Sequence, residues 1–405
     1  MSKLDLGAIR RDFPTLHPNK DKAIYLDNAC MSLRPNSVID AISSYYREHP
    51  SCHNRSVHRY GERTTERYAA ARVTVQKFLG AGRSDEIVFT RNATESLNAI
   101  ASSLTLGEGD VVVSTDAEHN SNTIPWMRLR KTKGIIYKKV PIRPDGVFPM
   151  DELRALLQGG QVKLVTVLST SHFLGISTPL EEIGKLAHAH GALFMVDAAQ
   201  SFLHEQLDVR KLDVDFLALS FHKLLGPSGI GALYAKKSHL ETFTPWLLGG
   251  ETVDDVDEFA FQLSAMPARF EAGLQNYGGA LGAAAAIDYL NGLSYKAIRE
   301  HLAELNRFVV GELNTSPRFH HIGPADPAQR AGVVNFFIDG LDSGELSILL
   351  DRTKRIMTRS GVHCAHAWYR LNGLPASLRA SFAFYNTMEE AETFVRTVKD
   401  FLRFH

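Results

Sequence analysis

The stretch RSGVHCAHA places Cys364 between His363 and His366, and these residue types allow three kinds of chemistry. The cysteine could be a metal ligand, an inert thiol of the core or a nucleophile. A structural zinc site usually takes its four ligands from two pairs at short spacing. The other cysteines, Cys30 and Cys52, lie far away in the sequence and supply no second pair. The pattern therefore disfavours a metal site and leaves the core thiol and the nucleophile open.

Two charged side chains closely follow apolar runs that have the composition of buried strands. Asp197 ends the run FMVD, and Lys223 comes three residues after FLALS. Because an isolated buried charge is costly, such a carboxylate must be paired or must cap the following turn. Burial lowers the pKa of a lysine, and a neutral amine is the nucleophile that Schiff-base chemistry needs. Both residues are therefore candidates for a site at the carboxyl ends of the strands.

A helix is predicted to begin in RNATESLNAI, where Asn92, Thr94 and Glu95 follow a strand. Free N–H groups and hydroxyls at a helix N-terminus bind phosphate well, although Thr94 could equally be a simple N-cap. The chain contains neither a Walker lysine motif nor GxGxxG. Mononucleotide and dinucleotide sites are therefore disfavoured.

Together, the helix start, Asp197 and Lys223 fit one cofactor, pyridoxal 5'-phosphate (PLP). Lys223 would hold the aldehyde, and Asp197 would keep the ring nitrogen protonated so that the ring can accept electrons. Ser220 and His222 flank this region of the sequence and could reach the phosphate. The order of these features along the chain makes the combination more specific than any one of them.

The elements that must position these residues alternate along the chain. Between residues 85 and 236, β-branched or apolar runs alternate with amphipathic segments, a pattern typical of a mostly parallel sheet between helices. In PLEEIGKLAHAHG, Pro179 and Gly191 mark the start and the end of one helix. The predicted fold class is α/β, with seven strands near 86–90, 110–115, 135–140, 162–170, 192–198, 215–220 and 229–235.

A change of composition near residue 280 predicts a second domain. There the Ala-rich helix GGALGAAAAIDYL leads into a more mixed α and β pattern. We assign residues 21–280 to a large PLP-binding domain. Residues 1–20 with 281–405 form a smaller α+β domain that carries Cys364. The chain length of 405 residues fits two domains.

Charge and hydropathy limit the partners and the location. The chain has 45 basic and 45 acidic residues, so its zero net charge gives no reason to expect nucleic acid or an anionic membrane as a partner. The N-terminus MSKLDLGAIRRDF lacks the apolar core of a signal peptide, and no run of eighteen apolar residues occurs. Three scattered cysteines favour a reducing compartment. We expect a soluble, cytoplasmic protein.

Eight motifs together resemble the class V, fold-type I PLP enzymes, and within them the group II cysteine desulfurases. In chain order they are YLDNA (25–29), RNATESLN (91–98), EHNSN (118–122), VDAAQ (196–200), SFHKLLGPSGIGALY (220–234), RFEAG (269–273), RSGVHCA (359–365) and RASFAFYNT (379–387). The resemblance runs over nearly the whole chain. It implies the PLP fold type I, with a large domain and a smaller C-terminal one.

The resemblance also implies how the cofactor is held. By that likeness, His119 would stack on the ring, and Thr94, Ser220 and His222 would hold the phosphate. Asp197 and Gln200 would contact the ring nitrogen and the phenolic oxygen. Lys223 would be bonded to the aldehyde.

The substrate side follows from the same likeness. Arg379 would bind the carboxylate of L-cysteine, and Arg359 would lie close to the substrate. Cys364 would attack the substrate sulfur as a thiolate, favoured by His363 and Arg359, to give a persulfide and alanine. The likeness further implies a homodimer and a protein that accepts the sulfur.

Several positions depart from the family pattern, among them Met31 and Asn120, and three of them bear on the substrate or the phosphate. His172, in TSHFLG, replaces an asparagine that helps to hold the substrate carboxylate, and an imidazole donates from a different distance. Leu274 replaces the threonine after RFEAG that reaches the other subunit's phosphate. Cys30 replaces an alanine and brings a second thiol near the substrate. This thiol could orient the substrate or could be only a small packing residue.

These departures leave alternatives to a desulfurase open. A selenocysteine lyase, or a C–S lyase acting on another cysteine derivative, would use the same fold and Cys364. An aminotransferase or epimerase would not need Cys364. A binding protein with degenerate chemistry would need neither Lys223 nor Asp197 nor His119, so their joint presence disfavours it.

Overall fold

Residues 4–17 and 23–404 are described by the computed structural model, which contains helices and strands throughout. The helices are α1 Leu6–Arg11, α2 Asn36–Glu48, α3 Arg59–Phe78, α4 Ala93–Ser103, α5 Ile124–Lys133, α6 Met150–Gln158, α7 Leu180–Ala189, α8 Lys237–Leu240, α9 Tyr277–Asn291, α10 Tyr295–Leu313, α11 Ser343–Lys354, α12 His366–Leu371 and α13 Met388–Phe404. The strands are β1 Ile24–Tyr25, β2 Ile87–Thr90, β3 Val111–Thr115, β4 Ile136–Val140, β5 Val162–Leu168, β6 Leu193–Asp197, β7 Phe216–Ser220, β8 Gly231–Ala235, β9 Val253–Val256, β10 Phe261–Leu263, β11 Phe319–Ile322, β12 Val333–Ile338, β13 Ile356–Met357, β14 Arg359–Gly361 and β15 Ser377–Ser381. None of the described helices is long and apolar enough to cross a membrane.

The central sheet contains the seven strands that the sequence predicts, in the order β2-β8-β7-β6-β5-β3-β4. Strand β8 is antiparallel to both of its neighbours, and the other pairs are parallel. Most of these strands are buried along their whole length, because helices cover both faces of the sheet. The prediction of an α/β fold with a mostly parallel seven-stranded sheet is therefore confirmed.

Strands β2, β6 and β7 end at one edge of this sheet, where ligands of open α/β sheets bind. Strand β6 ends at Asp197, and β7 ends at Ser220 and continues into a short 3-10 turn that ends at Lys223. The chain that follows β2 passes very close to Gly231. A Cβ atom at Gly231 would lie 2.6 Å from Cα of Asn92, so only glycine allows the start of α4 to approach this edge.

The C-terminal part of the chain forms a four-stranded antiparallel sheet in the order β11-β12-β15-β14. The N-terminal segment packs on this part, because Phe13 contacts the rings of Phe384 and Tyr385 and Arg10 forms an ion pair with Glu390 at 2.9 Å. Strand β1 also pairs with β13. These contacts bring the YLDNA segment close to the elements that carry Cys364.

The division into two domains stays a prediction. The boundary placed near residue 280 lies inside helix α9. Close to this point, Gly278 and Gly282 face Tyr45 and Ile42 of helix α2. Residues 1–3, 18–22 and 405, which the predicted division assigns to the two domains, lie outside the described residues.

Candidate active site

A cavity of about 240 Å³ at the carboxyl ends of β6 and β7 brings together every site residue that the sequence predicts. These residues come from eight separate segments of the chain and meet only through the fold. The predicted residues that line the cavity are Cys30, Thr94, His119, His172, Asp197, Gln200, Ser220, His222, Lys223, Arg359, Cys364 and Arg379.

Lys223 and Asp197 both line the cavity. Burial lowers the pKa of Lys223 and raises the pKa of Asp197, while the charge of each group opposes the effect on the other. Asp197 is 5% exposed and accepts a hydrogen bond from the N–H of Ala199 at 3.1 Å. Among the residues that the structure describes, no cation lies within ion-pair distance of Asp197. The carboxylate therefore both caps the following turn and has a place for a positively charged partner.

The start of helix α4 forms one end of the cavity. The N-cap is Asn92, whose side chain accepts a hydrogen bond from the N–H of Glu95 at 3.0 Å, so the alternative of Thr94 as N-cap is wrong. The hydroxyl of Thr94 is exposed and lies 2.8 Å from the Oγ atom of Ser121. Ser220 accepts a hydrogen bond from the first N–H of the helix at 2.8 Å. Hydroxyls and helix N–H groups thus converge where a phosphate could bind.

His119 and His222 are neutral residues of the cavity wall. Burial lowers the pKa of each to about 4. The Nδ1 atom of His119 accepts a hydrogen bond from the N–H of Ser121 at 3.1 Å, which fixes the ring at the start of a 3-10 turn. A neutral imidazole held in this way can stack on a planar ring. Gln200, nearby, donates from Nε2 to the carbonyl of Ala29 at 2.6 Å.

Cys364 lies in a tight turn between β14 and α12 and is half-buried at the cavity. Both His363 and Cys364 adopt left-handed backbone angles, with φ of 47° and 60°. Such a conformation costs roughly 1–2 kcal/mol for each residue that is not glycine. The turn is held by a hydrogen bond from Nε2 of His172 to the His363 carbonyl at 2.6 Å and by one from the N–H of Asn120 to the Cys364 carbonyl at 2.9 Å. Cys364 is therefore not a fully buried core thiol, and its role as a nucleophile stays a prediction.

The two histidines beside Cys364 point to other partners. His363 is 3.1 Å from the Oγ atom of Ser377, and His366 is 3.1 Å from the side-chain amide of Asn120. Across residues 4–17 and 23–404, no group of three His, Cys, Asp or Glu side chains is arranged to hold a metal. Burial holds the pKa of His363 far below its usual value, so its ring is neutral. A neutral ring has no positive charge with which to stabilise a thiolate, so the predicted effect of His363 on Cys364 has no electrostatic support here.

Two arginines, Arg359 and Arg379, also line the cavity. Arg359 donates from Nη1 to the Sγ atom of Cys30 at 2.9 Å, so this guanidinium contacts the second thiol of the cavity. Arg379 is 2% exposed and donates to the backbone carbonyl of His172 at 2.9 Å and to Asp27 at 3.1 Å. Its Nε atom is buried without a hydrogen-bond partner. An unsatisfied donor on a buried cation favours an anionic ligand.

Some residues of the site were not assigned from the sequence. Asp27 lies in the YLDNA motif and pairs with Arg379, but the two are 352 positions apart. Ser121 and Thr170 also line the cavity. In the sequence, only the EHNSN motif for Ser121 and the end of a predicted strand for Thr170 could have indicated this. Leu274, in contrast, is 71% exposed and does not line the cavity.

Comparison with known proteins agrees with this geometry. The family model of class-V aminotransferases matches residues 24–394. A probable cysteine desulfurase of Halalkalibacterium halodurans is 37% identical over 96% of both chains, and one of Pyrococcus abyssi is 38% identical over 98% of this chain and 97% of the relative. The apo structure of the cysteine desulfurase from Thermococcus onnurineus NA1 has a TM-score of 0.94 at 36% identity, covering 100% of this chain and 99% of the other. The chain therefore belongs to the class-V aminotransferase family.

Proposed function

We propose that the protein is a PLP-dependent cysteine desulfurase that converts L-cysteine to L-alanine and keeps the sulfur as a persulfide on Cys364. The observation that carries this proposal is the meeting of Lys223, Arg379 and Cys364 in one cavity. An amine, a carboxylate-binding cation and a thiol are the three groups that such a reaction needs. The names of the relatives at 37% and 38% identity support the same activity.

The residues of the cavity fit PLP. Asp197 is buried without a cation at ion-pair distance among the described residues, and a protonated ring nitrogen would supply the missing positive charge. Thr94, Ser220 and His222 would hold the phosphate, with Gln200 at the phenolic oxygen. His119 would stack on the ring. When bound, PLP supplies the electron sink that makes the Cα proton of an amino acid acidic.

The side chains of this chain then have distinct tasks. Arg379 binds the substrate carboxylate through its free Nε donor, which orients the Cα–H bond. Lys223, whose pKa is lowered by burial, removes the Cα proton. The Sγ atom of Cys364 forms a bond to the substrate sulfur while the carbon–sulfur bond breaks. The carbon fragment takes up one proton at Cβ, which balances the proton lost from the substrate thiol, regains one proton at Cα from Lys223 and leaves as alanine.

The family likeness also supports three further parts of the proposal. The protein would act as a homodimer in the cytoplasm, and an acceptor protein would take the persulfide sulfur from Cys364. The position of Cys364 in a half-buried turn at the cavity is consistent with transfer to a partner.

The first experiment incubates the pure protein, supplied with PLP, with L-cysteine in the absence of reductant. We expect the peptide that carries Cys364 to gain one sulfur atom and alanine to appear. The Cys364→Ala variant should keep the visible absorbance of bound PLP and release no alanine. Cys52→Ala, which changes a thiol outside the cavity, is the matched control and should behave as the wild type.

Other outcomes of this experiment would replace the proposal. Alanine release by Cys364→Ala would show that this cysteine is not the acceptor. Pyruvate in place of alanine would indicate a C–S lyase, and turnover restricted to selenocysteine would indicate a selenocysteine lyase. Cys30 and His172 would then be the first residues to vary, because both depart from the family pattern and both line the cavity.

A further inference from the structure

The imidazole of His172 is already committed to a backbone group. Its Nε2 atom lies 2.6 Å from the carbonyl oxygen of His363, and the residue is 5% exposed. Because a carbonyl oxygen can only accept, Nε2 carries the proton. Burial holds the pKa of His172 well below its usual value, so the ring is neutral and Nδ1 has no proton to donate. In this arrangement His172 cannot donate a hydrogen bond to a substrate carboxylate.

The carbonyl that His172 binds belongs to the residue directly before Cys364. Two consecutive residues with φ of 47° and 60° form an unfavourable backbone, and such a backbone persists only where surrounding contacts determine it. Within the turn, the N–H of Ala365 donates to the carbonyl of Val362 at 2.8 Å. Contacts from outside include the His172 bond to the first carbonyl, the Asn120 bond to the second, and the 3.1 Å contact of the His363 ring with Ser377.

His172 also connects this turn to the carboxylate-binding side of the cavity. Its own backbone carbonyl accepts a hydrogen bond from Nη1 of Arg379 at 2.9 Å. The residue thus contacts Arg379 through its backbone and the turn of Cys364 through its side chain. Arg379 would bind the carboxylate of the substrate, and the thiol of Cys364 must reach the sulfur of the same molecule. A shift of His172 would change the distance between these two groups.

We infer that His172 is a positioning residue that fixes the Cys364 turn at the cavity and leaves the substrate carboxylate to Arg379. The role in sulfur transfer rests on the proposed function, whereas the role in holding the turn does not. The inference reverses the expectation from the sequence, in which His172 contacts the substrate. The reason is that its single proton is already used by the His363 carbonyl.

Two substitutions separate the hydrogen-bond donor from the shape of the side chain. His172→Leu fills a similar space without a donor, and His172→Gln keeps an amide N–H that can reach the His363 carbonyl. Both variants and the wild type are purified with PLP and treated with iodoacetamide. Peptide mass spectrometry measures the rate of alkylation at Cys364. The rate at Cys52 in the same sample is the reference for intact folding.

The alkylation rates test the turn directly. We expect Cys364 to react at least about threefold faster in His172→Leu, because loss of the anchor increases local opening of the turn. His172→Gln should restore the rate to within about twofold of the wild type, and the rate at Cys52 should not change. An unchanged rate at Cys364 in His172→Leu would overturn the inference.

Two reactions then distinguish positioning from substrate binding. With L-cysteine, persulfide formation should be at least about tenfold slower in His172→Leu, since a misplaced reacting group is costly. Exchange of the Cα proton of L-alanine in D₂O, which needs Lys223 but not Cys364, should stay within about twofold of the wild type. An equal loss of both reactions would place His172 on the substrate and overturn the inference. Absence of persulfide in the wild type contradicts the proposed function alone, because the alkylation rates still test the turn.

Discussion

At the scale of single residues, the site contains a buried hydrogen-bond donor without an acceptor, the Nε atom of Arg379. Arg379 uses both of its terminal nitrogens, on the His172 carbonyl and on Asp27, and keeps Nε free. The guanidinium is thus oriented before a ligand arrives. A preorganised donor of this kind binds a carboxylate at a lower cost in conformational entropy than a mobile side chain.

Arg379→Lys tests this arrangement because it keeps the positive charge and removes the oriented donors. We expect kcat/KM for L-cysteine to fall at least about tenfold, which corresponds to about 1.4 kcal/mol, measured as the rate of alanine formation. The loading of PLP should not change. Cysteamine, which lacks the carboxylate, is the control substrate, and its binding should not differ between the two proteins. If L-cysteine turnover stays at the wild-type level, another group binds the carboxylate.

At the scale of secondary-structure elements, a buried ion pair holds the sheet edge to the RFEAG segment. Arg72 of α3 and Glu271 form two hydrogen bonds of 2.6 and 2.8 Å, and both residues are buried. Glu271 also accepts from the hydroxyl of Tyr68 at 2.9 Å and from the N–H of Phe89 in β2 at 2.7 Å. One carboxylate therefore connects helix α3, strand β2 and the RFEAG turn.

Glu271→Gln should lower the free energy of unfolding by about 3–5 kcal/mol, because it leaves the buried Arg72 charge without its partner. The measurement is urea unfolding followed by circular dichroism. Glu181→Gln is the matched control, since the ion pair of Glu181 with Lys185 at 2.6 Å is exposed and such pairs contribute little. Equal effects of the two substitutions would mean that Glu271 does not stabilise the fold through this pair.

The elements also show how far the sequence could predict the fold. Strands such as β3 and β7 were predictable because β-branched or apolar runs end in polar residues. The antiparallel direction of β8 was not predictable, because the alternation of strands and helices along the chain does not indicate the direction of a strand. The hairpin of β9 and β10 was missed because its residues, two of them acidic in β9, are mostly exposed and form no buried face. The bond between His172 and His363 joins residues 191 positions apart, so spacing along the chain could not indicate it.

At the scale of the whole molecule, apolar side chains are exposed beside the cavity. Leu247 and Leu248 are 47% and 52% exposed, and Leu274 is 71% exposed. The N–H of Gly273 donates to the carbonyl of Gly250 at 2.8 Å, which joins the segment of Leu274 to the segment that carries these two leucines. Leu247 also shares a groove with Thr94 at the start of α4. An apolar patch at this place fits the surface that the proposed homodimer would bury.

Leu274→Asp should weaken self-association at least about tenfold, because a charge buried at an apolar contact costs more than the 1.4 kcal/mol that this factor requires. Sedimentation velocity over a range of protein concentrations measures the dissociation constant. The matched control is Ile348→Asp, which places the same charge at a residue 53% exposed on helix α11, away from the patch. The two variants should unfold at similar urea concentrations, since both side chains are exposed. An unchanged dissociation constant in Leu274→Asp would mean that this patch is not part of the dimer contact. Leu274, which replaces the family's threonine, would then have no role in self-association.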